Sequence, residues 1–539
     1  MDARSDHEQG ESMGTRDHRT PVLIIGGGLT GLATAFFLAR QGVRATLVER
    51  HPTESIMPKA RAFNPRTVEI LRGHGLADEV RARRSYLADF PEMIGADTLA
   101  GQERFRVDFA DHYRAPVELS PVAWAAIDQD ELERLLRARA IAAGADIRFD
   151  TEMISLDSRT DGVEVVVRES AGTEYRIGAD YLVAADGHRA GIRAGLGIGT
   201  DQALPPALGA YIIFAADLTE AMRGRRFILA YLDKPTPNTT LVPVGPNRWT
   251  ISFGYAPGER PSDYTEERCT ELTRQAIGLS DVDITLLPPV PGRPEKVAHT
   301  SATGGGVIAH RFRDGRVFLI GDAAHTVPPS GAYGASTGIA DAHNLAWKLT
   351  AVLAGHGAPA LLDTYDAERR PVALATLAHT LDVMRARGTG TVEDNAALDD
   401  LTMIFGYRYT SAAVHTEHPG GITSDPRTAT GEPGLRAPHV WLARNGTRFS
   451  TTELCAGVWT LLTGPEDDWD AEVKSAPVAI DAYRVGTDLA DPDGTFLASF
   501  GLTGTGATLI RPDGFVAWRS AARPAEPVLH QAMRGLLGH

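Results

Sequence analysis

Three glycines near the start of the chain, followed by one acid, have the types and spacing that bind phosphate. Gly26, Gly28 and Gly31 stand as GxGxxG between an apolar run and a helical pattern. The first glycine of such a turn makes the bend, the second lets a pyrophosphate approach the backbone, and the third lets the helix pack on the strand. Glu49 ends the next apolar run, where an acid can hold a ribose hydroxyl. The pattern predicts a dinucleotide site at a helix N-terminus.

Two further acids end apolar runs much later in the chain. Asp186 ends the run YLVAAD, and Asp322 follows the run VFLIG. Acids at the carboxyl ends of parallel strands meet at the ligand crevice of a doubly wound sheet. The small residues after Asp322 allow a flat ring to lie against the backbone, and a helix from Thr337, capped by Ser336, would turn its positive end toward that ring. The combination predicts an isoalloxazine pocket, and therefore FAD.

These residues need elements that bring distant segments together. The glycines lie in a pattern of strand 22–25, helix 29–41 and strand 45–49, a βαβ unit, and Asn64 before Pro65 predicts another helix start. Runs such as FILAYL and RWTISFGY, separated by Pro and Gly turns, predict an antiparallel layer. The predicted divisions are a disordered segment 1–19, a first cofactor-binding part 20–202 with an excursion near 86–120 toward the antiparallel layer, that layer at 203–294, a second cofactor-binding part 295–400, and a C-terminal domain 425–539.

The bulk composition argues against several classes of function. The 539 residues carry a net charge of −15, which disfavours nucleic acid as a partner because phosphate binding needs a basic surface. Cys269 and Cys455 form no CxxC pair, so we expect neither a disulfide framework nor a metal site. No apolar run reaches the roughly 18 residues that a membrane helix needs. We therefore expect a cytoplasmic protein without a membrane partner.

The motifs together resemble the flavin-dependent aromatic hydroxylases of the p-hydroxybenzoate hydroxylase type. The resemblance rests on GxGxxG with Glu49, on PKARAFNPRT, IDQDELERLL and ADGHRAGIR, and on GDAAHTVPPSGAYGASTGIADAHNLAWKL. The tail, with VWTLL and IRPDGFVAWR, is similar to the C-terminal domain of the subgroup that contains phenol hydroxylase and polyketide hydroxylases of the aklavinone-11-hydroxylase kind. The resemblance implies an α/β FAD-binding Rossmann-like domain, an α+β substrate domain with an antiparallel sheet, and a thioredoxin-like C-terminal domain.

The resemblance assigns cofactor roles to residues of each motif. It implies that the backbone of Gly28, Leu29 and Thr30 meets the pyrophosphate, that Glu49 holds the adenosine ribose, and that Asp322 binds ribityl or pyrophosphate groups. The other cofactor candidates are Gly26, Gly31 and Arg50, Asp186 in a motif that serves FAD and NAD(P)H in the family, Arg61 and Gln129 on the ribityl–phosphate side, and Pro329, Gly331, Tyr333, Gly334, Ala335 and Ser336 along the isoalloxazine.

Three positions depart from the family pattern. The usual PPxGGxGxN reads PPSGAYGAS, with Ala332 for glycine and Ser336 for asparagine, and the usual serine after the DG pair is Ala190. The tail has no CxxC, which excludes dithiol chemistry there. We interpret the AERR run at 367–370 as a solvated helix face and His325 as a packing residue.

The implied reaction is the hydroxylation of an aromatic ring in secondary metabolism. In the family, NADPH or NADH reduces FAD, and O2 then gives a C4a-hydroperoxyflavin that transfers oxygen to an electron-rich ring. The partner is therefore an aromatic small molecule, phenolic and polycyclic or quinone-type. The catalytic candidates are Tyr231 and Arg387, and the substrate-lining candidates are Phe214, Asn238 and Phe253; packing in the sheet or a solvated helix end is the alternative for each.

Other readings of the same motifs stay open. A Baeyer–Villiger or epoxidising enzyme has the same fold and cofactor, and an antibiotic-inactivating hydroxylase would use the same reaction. A non-catalytic flavin-binding protein is the alternative outside enzymes. The sequence leaves the choice between a monomer and a homodimer open.

Overall fold

The computed structural model describes residues 18–90, 92–108, 116–205, 207–255, 258–288, 298–303, 305–389, 399–417, 420–466 and 468–539. Its first strand begins at His18, inside the segment 1–19 for which the sequence predicts disorder, and residues 1–17 lie outside the described part.

Helices and strands are interspersed along most of the chain, whereas the strands from β9 to β13 follow one another with only the short helix α6 between them. The helices are α1 Leu29–Arg40, α2 Pro65–Gly73, α3 Ala77–Ala82, α4 Gln129–Ala142, α5 Gly191–Gly195, α6 Thr219–Met222, α7 Glu266–Ile277, α8 Tyr333–Leu353, α9 Thr364–Thr389, α10 Asp400–Phe405, α11 Asp470–Lys474, α12 Phe496–Phe500 and α13 Leu529–Leu536. The strands are β1 His18–Ile25, β2 Thr46–Val48, β3 Glu92–Ala96, β4 Glu103–Asp108, β5 Asp146–Arg148, β6 Thr151–Ser158, β7 Val163–Glu169, β8 Glu174–Ala184, β9 Thr200–Leu204, β10 Ala207–Ala215, β11 Leu229–Leu232, β12 Thr239–Gly245, β13 Arg248–Gly254, β14 Thr285–Leu287, β15 Ala298–Thr303, β16 Gly306–Ala309, β17 Arg313–Asp314, β18 Val317–Leu319, β19 His325–Thr326, β20 Trp441–Arg444, β21 Thr447–Ser450, β22 Trp459–Thr463, β23 Ile480–Arg484, β24 Ala507–Ile510 and β25 Val516–Ser520.

The first sheet brings the predicted cofactor motifs to one edge. β1 lies between β2 and β8 and is parallel to both, and β18 pairs in parallel with β8. Ile25 is paired with Val48 and with Ala184, and Ala184 is paired with Leu319. The glycine turn and the three predicted acids follow these four strand ends within a few residues. Segments far apart in the chain therefore meet at the carboxyl edge of this sheet, where ligands of doubly wound folds bind.

A second sheet lies beside the first and has two unlike faces. Its described strands run in the order β14-β10-β13-β12-β11-β3-β4, with β15 also paired to β10. The layer is antiparallel except between β11 and β3, which pair in parallel. β3 comes from the excursion at 86–120. Alternate residues of its strands, among them Phe214 and Ile251, pack with Leu272 and Ile277 of α7 in one buried cluster.

The C-terminal domain contains a four-stranded sheet in the order β23-β22-β24-β25. β22 is parallel to β23 and antiparallel to β24, an arrangement that fits a thioredoxin-like domain. The run RPDG makes the turn between β24 and β25, as the sequence predicts, and the Arg511 amide donates to the Phe515 carbonyl across it.

The interface between the C-terminal domain and α9 corrects one prediction. Glu368 and Arg369, interpreted from sequence as part of a solvated helix face, are each 1% exposed. Glu368 accepts hydrogen bonds from Lys348 of α8 and from Arg511 of the RPDG turn, at 2.8 and 2.7 Å. The charges are buried because each finds a partner, which a buried charge requires.

Among the residues that the structure describes, no helix is long and apolar enough to cross a bilayer. The same part of the chain contains no group of three or more His, Cys, Asp or Glu side chains placed to hold a metal ion.

Candidate active site

The GxGxxG turn joins β1 to α1, and its glycines have different neighbours. A Cβ atom on Gly26 would overlap the Ala185 carbonyl oxygen, and one on Gly31 would overlap the Gly26 carbonyl oxygen. A Cβ atom on Gly28 would meet nothing within 4 Å. Gly26 and Gly31 are therefore required by the packing of the chain itself. Gly28, the N-cap of α1, borders open space, and no side chain caps this helix.

Glu49 follows β2 and is held by the turn that it faces. Its carboxylate accepts hydrogen bonds from the Gly27 amide at 2.6 Å and from the His51 amide at 2.9 Å. Burial raises the pKa of Glu49, but the hydrogen bonds from His51 and Gly27 outweigh it and bring the pKa below its ordinary value. An ionised, oriented carboxylate at this edge suits a ribose hydroxyl. The adjacent Arg50 is exposed.

The first residues of α1 pack closely against two later motifs. Leu29 is buried in the main core. A Cβ atom on Gly321 or on Gly338 would lie 2.6 or 2.5 Å from Thr30 Oγ1, so the threonine side chain fits between the turn after β18 and the start of α8. Only the backbone of Leu29 and Thr30 is therefore left to meet a ligand, which is the contact that the resemblance implies for them.

Two carboxylates lie at the turn after β18: Asp322 is exposed at the crevice, and Asp341 is buried beneath the turn and hydrogen-bonds its backbone. Asp322, in the 3-10 turn Gly321–Ala323, is exposed, and none of the described residues donates a hydrogen bond to its side chain. Beneath it, Asp341 is fully buried and accepts from the Gly321 amide at 3.2 Å and from His325 Nε2 at 2.6 Å. His325 is thus more than a packing residue, because it donates to the carboxylate that holds this turn.

Helix α8 begins at Tyr333, so the predicted start at Thr337 with Ser336 as its cap is wrong. The N-cap is Ala332, in a left-handed conformation with φ +57°, and it follows Gly331 at φ +84°. Ser336 lies inside the first turn, where its hydroxyl accepts from the Asn64 amide at 3.4 Å. No side chain caps this helix, so the positive N-terminus is available to a ligand.

The side chains around the start of α8 are small except for Tyr333. The Tyr333 hydroxyl donates to Asp400 and lies 3.1 Å from His379 Nε2, and its ring packs against Ile404 and Phe405. The Tyr333 side chain therefore packs between α8, α9 and α10, and only the Tyr333 backbone faces the open N-terminus of α8. The remaining isoalloxazine candidates are Pro329, which is exposed, and Gly334 and Ala335, which are half-buried.

Asp186 stands at the end of the neighbouring strand with one oxygen unused. Its Oδ2 accepts from the Ile192 amide at 3.0 Å, whereas its Oδ1 is buried with no partner in the described part of the chain. Burial raises the pKa of this carboxyl. A buried polar atom without a partner is costly and marks a place where a ligand group or water completes the hydrogen bond.

Arg61 and Gln129, predicted to contact the ribityl–phosphate side of FAD, have protein partners. Arg61 donates to Asp128 and to the Pro243 carbonyl of the second sheet, both at 2.6 Å. Gln129 accepts from the Ala60 amide at 3.2 Å and donates to a carboxylate of α4 at 2.8 Å. Arg61 therefore holds the crevice wall against the second sheet, and Gln129 joins the segment at Ala60 to α4.

The predicted substrate-lining residues Phe214 and Phe253 need correction. Their side chains are 0% and 4% exposed, in the cluster that α7 covers. The opposite face of the sheet meets the cofactor-binding part, because the Tyr211 hydroxyl donates to the Pro58 carbonyl at 3.0 Å. The alternation of the strands puts both phenylalanines on the face away from the crevice.

Of the remaining candidates, Tyr231 lies on the crevice-side face, whereas Asn238 lies in a turn at the end of the sheet. Tyr231 is paired with Thr240, and Thr240 with Ser252, which is opposite Tyr211. Asn238 is exposed in the turn before β12, with φ +65°. Arg387 belongs to α9, but its side chain lies outside the described residues.

Sequence reasoning missed most of this crevice-side face. It carries the hydroxyls of Tyr211, Thr250, Thr240 and Ser252. It also carries the ring of Phe105, since a Cβ atom on Gly95, opposite Tyr231, would overlap that ring. A glycine within a strand was the available signal, because such a residue often marks the close approach of another group.

The residues at the crevice fit FAD. The open space beside Gly28, the exposed Asp322, the unused Oδ1 of Asp186 and the uncapped start of α8 all lie along one edge of the first sheet. They are the donors, acceptors and clear backbone that a pyrophosphate, a ribityl chain and a flat ring require. Glu49 completes the set at the ribose end.

Comparisons with known proteins agree with the assignment of FAD. The family model described as FAD binding domain matches residues 19–380, and the one described as aromatic-ring hydroxylase, C-terminal, matches residues 430–539. The chain is 39% identical to tetracenomycin A2 monooxygenase-dioxygenase of Streptomyces glaucescens, with 94% of each chain covered. It is also 39% identical to 4-methyl-5-nitrocatechol 5-monooxygenase of a Burkholderia species, with 97% of this chain and 98% of the relative covered.

A solved structure extends the likeness to the whole architecture. The ternary complex of aklavinone-11 hydroxylase with FAD and aklavinone aligns with a TM-score of 0.86 and 37% identity, over 97% of this chain and all of the other. The likeness therefore includes the cofactor-binding part, the second sheet and the C-terminal domain. Family models, full-length relatives and the crevice all lead to one assignment: the chain belongs to the FAD-dependent aromatic-ring hydroxylases and is a monooxygenase of that family.

Proposed function

We propose that this monooxygenase hydroxylates a phenolic or quinone-type ring of a polycyclic polyketide, with NADPH or NADH as the reductant and O2 as the oxygen source. The enzyme class follows from the family. The substrate class rests on the crevice-side face of the second sheet and on the relatives that act on polycyclic compounds, such as aklavinone-11 hydroxylase with bound aklavinone.

The observation that carries the proposal is the chemistry of that face. Its central positions present uncharged hydroxyls, and Thr240 and Ser252 hydrogen-bond each other at 2.6 Å. Such a surface suits a flat, neutral molecule whose carbonyl and hydroxyl groups exchange hydrogen bonds, because each buried polar group then has a partner. A substrate carboxylate would instead need a cation for its charge.

The residues have distinct tasks in this reaction. The chemistry that bound FAD supplies is the transfer of electrons from the nicotinamide to O2. Glu49, Asp322 and the start of α8 bind and orient the cofactor. The second sheet excludes water above the crevice. Tyr231 orients the phenolic oxygen of the substrate in this proposal, which its position on the crevice-side face supports.

The first test is turnover by the purified enzyme. Oxidation of NADPH and of NADH is followed in air against phenols, 4-methyl-5-nitrocatechol, naphthoquinones and anthracyclinones, with product masses read in parallel. We expect anthracyclinones to stimulate oxidation most and to give a product about 16 mass units heavier, because one oxygen atom is added. Stimulation by the catechol alone contradicts the polycyclic class, and ring opening or expansion in the product contradicts hydroxylation. A flavin-loaded enzyme with no turnover on any of these compounds contradicts the proposed substrate class.

A matched pair of variants locates the substrate. Ser252→Ala removes a hydroxyl from the crevice-side face, and Ser262→Ala removes an exposed one beyond the sheet. We expect the first variant to raise the KM for the ring substrate roughly ten-fold, in line with the loss of one hydrogen bond, and the second to leave it unchanged. Equal KM values for both variants would place the substrate elsewhere.

A further inference from the structure

The C-terminal domain has no evident chemistry of its own but inserts a hairpin deeply into the rest of the molecule. Its cysteine, Cys455, is buried, and burial raises the pKa of the thiol to about 12. The turn between β24 and β25 carries Arg511, Asp513 and Phe515, which are 0%, 1% and 2% exposed. Because these side chains are almost fully buried, the hairpin turn packs against other parts of the chain and contributes to their position.

The hairpin contacts a tyrosine that belongs to neither domain core. The ring of Phe515 lies 4.1 Å from the ring of Tyr409, centroid to centroid, and the Arg511 guanidinium lies 5.2 Å from the centre of the same tyrosine ring. The Tyr409 amide donates to the Gly434 carbonyl at 2.8 Å. The position of Tyr409, 2% exposed, is thus fixed by the docked C-terminal domain.

Tyr409 transmits that position to α8 through a buried arginine. Its hydroxyl accepts a hydrogen bond from Arg369 Nη1 at 3.0 Å. Arg369 Nε donates to Asp341 Oδ1 at 2.6 Å, and Nη2 donates to the Thr337 carbonyl in the first turns of α8 at 3.3 Å. With three acceptors and 1% exposure, this guanidinium has little freedom to reorient.

Asp341 completes the connection to the cofactor edge. Its other oxygen accepts from the Gly321 amide and from His325 Nε2. Gly321 directly precedes Asp322, the exposed carboxylate at the crevice. Burial alone raises the pKa of Asp341, but Arg369 and His325 outweigh it, so the carboxylate stays ionised and accepts all of these bonds.

We propose that the C-terminal domain acts as a clamp on the FAD site, in which Tyr409, Arg369 and Asp341 are positioning residues that hold the Gly321–Asp322 turn ready for the cofactor. The contacts are continuous from Phe515 to Gly321, and every side chain in them is buried. The proposal rests on FAD binding at this edge and is independent of the identity of the aromatic substrate.

A clamp of this kind has a reciprocal consequence. If docking of the hairpin strengthens FAD binding, FAD must stabilise the docked hairpin by the same factor, because coupling between two sites is mutual. The two effects are measured by different methods, and neither requires turnover.

The first experiment compares Tyr409→Phe with Tyr407→Phe. Both tyrosines lie in one buried aromatic cluster with Phe515, but the Tyr407 hydroxyl has no hydrogen bond to any described residue. Full-length protein is stripped of flavin and titrated with FAD by fluorescence. We expect the FAD Kd to rise roughly two- to thirty-fold in Tyr409→Phe, the range of mutations along a coupling path, and to stay near wild type in Tyr407→Phe. An unchanged Kd in Tyr409→Phe, or an equal rise in both variants, overturns the proposal.

Hydrogen exchange provides the second measurement. We expect FAD to slow amide exchange in the hairpin of β24 and β25 in the wild type and in Tyr407→Phe, and to do so less in Tyr409→Phe. If FAD leaves the amide exchange rates of the hairpin unchanged in the wild type, the proposal is overturned. This result does not depend on whether Tyr409→Phe folds. Loss of substrate turnover with both responses intact would contradict only the proposed function.

Discussion

Two carboxylates at the crevice, Asp322 and Asp186, differ from those at the domain interface in how completely they are hydrogen-bonded. At the crevice, Asp322 receives no hydrogen bond from the described residues and one oxygen of Asp186 has none. At the interface, Glu368 accepts from Asn344, Lys348, Ser411 and Arg511. A carboxylate with its acceptor positions filled belongs to the scaffold, whereas one with positions left over is available to a ligand.

The two environments also differ in what a mutation removes. Deleting a saturated carboxylate leaves its buried cationic partners without compensation, so the cost falls on folding. If the cofactor uses an unfilled carboxylate, as we propose, deleting that carboxylate should weaken binding and have little effect on folding. Mutations at the two kinds of carboxylate should therefore separate a loss of stability from a loss of affinity.

Glu368→Ala should lower the free energy of unfolding by about 3–5 kcal/mol, because buried Lys348 loses its carboxylate partner and buried Arg511 keeps only Asp513. Denaturant unfolding of the full chain measures it. The control is Asp493→Asn, which breaks the exposed pair with Arg448 and should cost about 0–1 kcal/mol. Similar losses in the two variants would mean that the buried cluster contributes no more than a surface pair.

Asp322→Ala should weaken FAD binding about ten- to hundred-fold, since hydrogen bonds to a charged group contribute about 1.5–3 kcal/mol. The side chain is exposed and lacks protein donors, so unfolding of the flavin-free protein should change by no more than about 0.5 kcal/mol. The two quantities are obtained by FAD titration and by thermal unfolding of the stripped protein. A stability loss without a change in affinity would assign Asp322 to the scaffold.

Gly31→Ala and Gly28→Ala should separate folding from binding within one motif. A methyl group at Gly31 overlaps the Gly26 carbonyl and should cost about 1–3 kcal/mol of stability, as overpacking does. A methyl group at Gly28 meets nothing in the chain and should leave stability unchanged while weakening FAD binding. If Gly28→Ala binds FAD normally, the pyrophosphate does not approach the chain at this residue.

The buried pair His74 and His343, with Nε2 atoms 3.3 Å apart, should make the fold sensitive to acid. Burial, with a minor contribution from Arg40, lowers the pKa of His74 to about 3, and burial beside His74 lowers that of His343 well below the ordinary 6.5. The unfolded chain therefore binds protons that the folded chain does not, so stability falls as pH drops. Each histidine should contribute about 1 kcal/mol of loss between pH 6.5 and 5.5.

His74→Gln tests this effect, because glutamine can donate to His343 but cannot take up a proton. Its unfolding free energy should decline less steeply over that pH range than the wild-type value. Parallel pH profiles for the two proteins would assign the acid sensitivity to other groups.

Local spacing was sufficient to predict that the strand ends with the motifs meet at one edge of the first sheet. It was insufficient where residues distant in the sequence determine the structure. The Asn64 cap and Pro65 start of α2 follow from neighbouring residues and are confirmed, as is the RPDG hairpin. The start of α8 was misplaced because it depends on left-handed backbone at Gly331 and Ala332, which side-chain chemistry at Ser336 does not reveal.

The face of a strand that meets the crevice, and the charges that are buried, can be determined only from the tertiary structure. Alternation along β10 shows that Phe214 and Tyr211 lie on opposite faces, but only α7 and Pro58 determine which face meets the crevice. Glu368 appears solvated in a charged run, and its partner Arg511 stands 143 residues away in the sequence. No pattern within one segment contains that information.

The buried hairpin between β24 and β25 limits how chains of this kind can be recombined. A fragment that ends before the C-terminal domain would leave Glu368 and Lys348 without Arg511 and Asp513, so the cofactor-binding part is not a self-sufficient module. A chimera that exchanges tails between two relatives must match the hairpin of one parent to the α8–α9 surface of the other. Joining two relatives at the linker before the C-terminal domain would therefore separate the hairpin from the surface that it fits. We expect domain exchange in this architecture to succeed only when those two surfaces are transferred together.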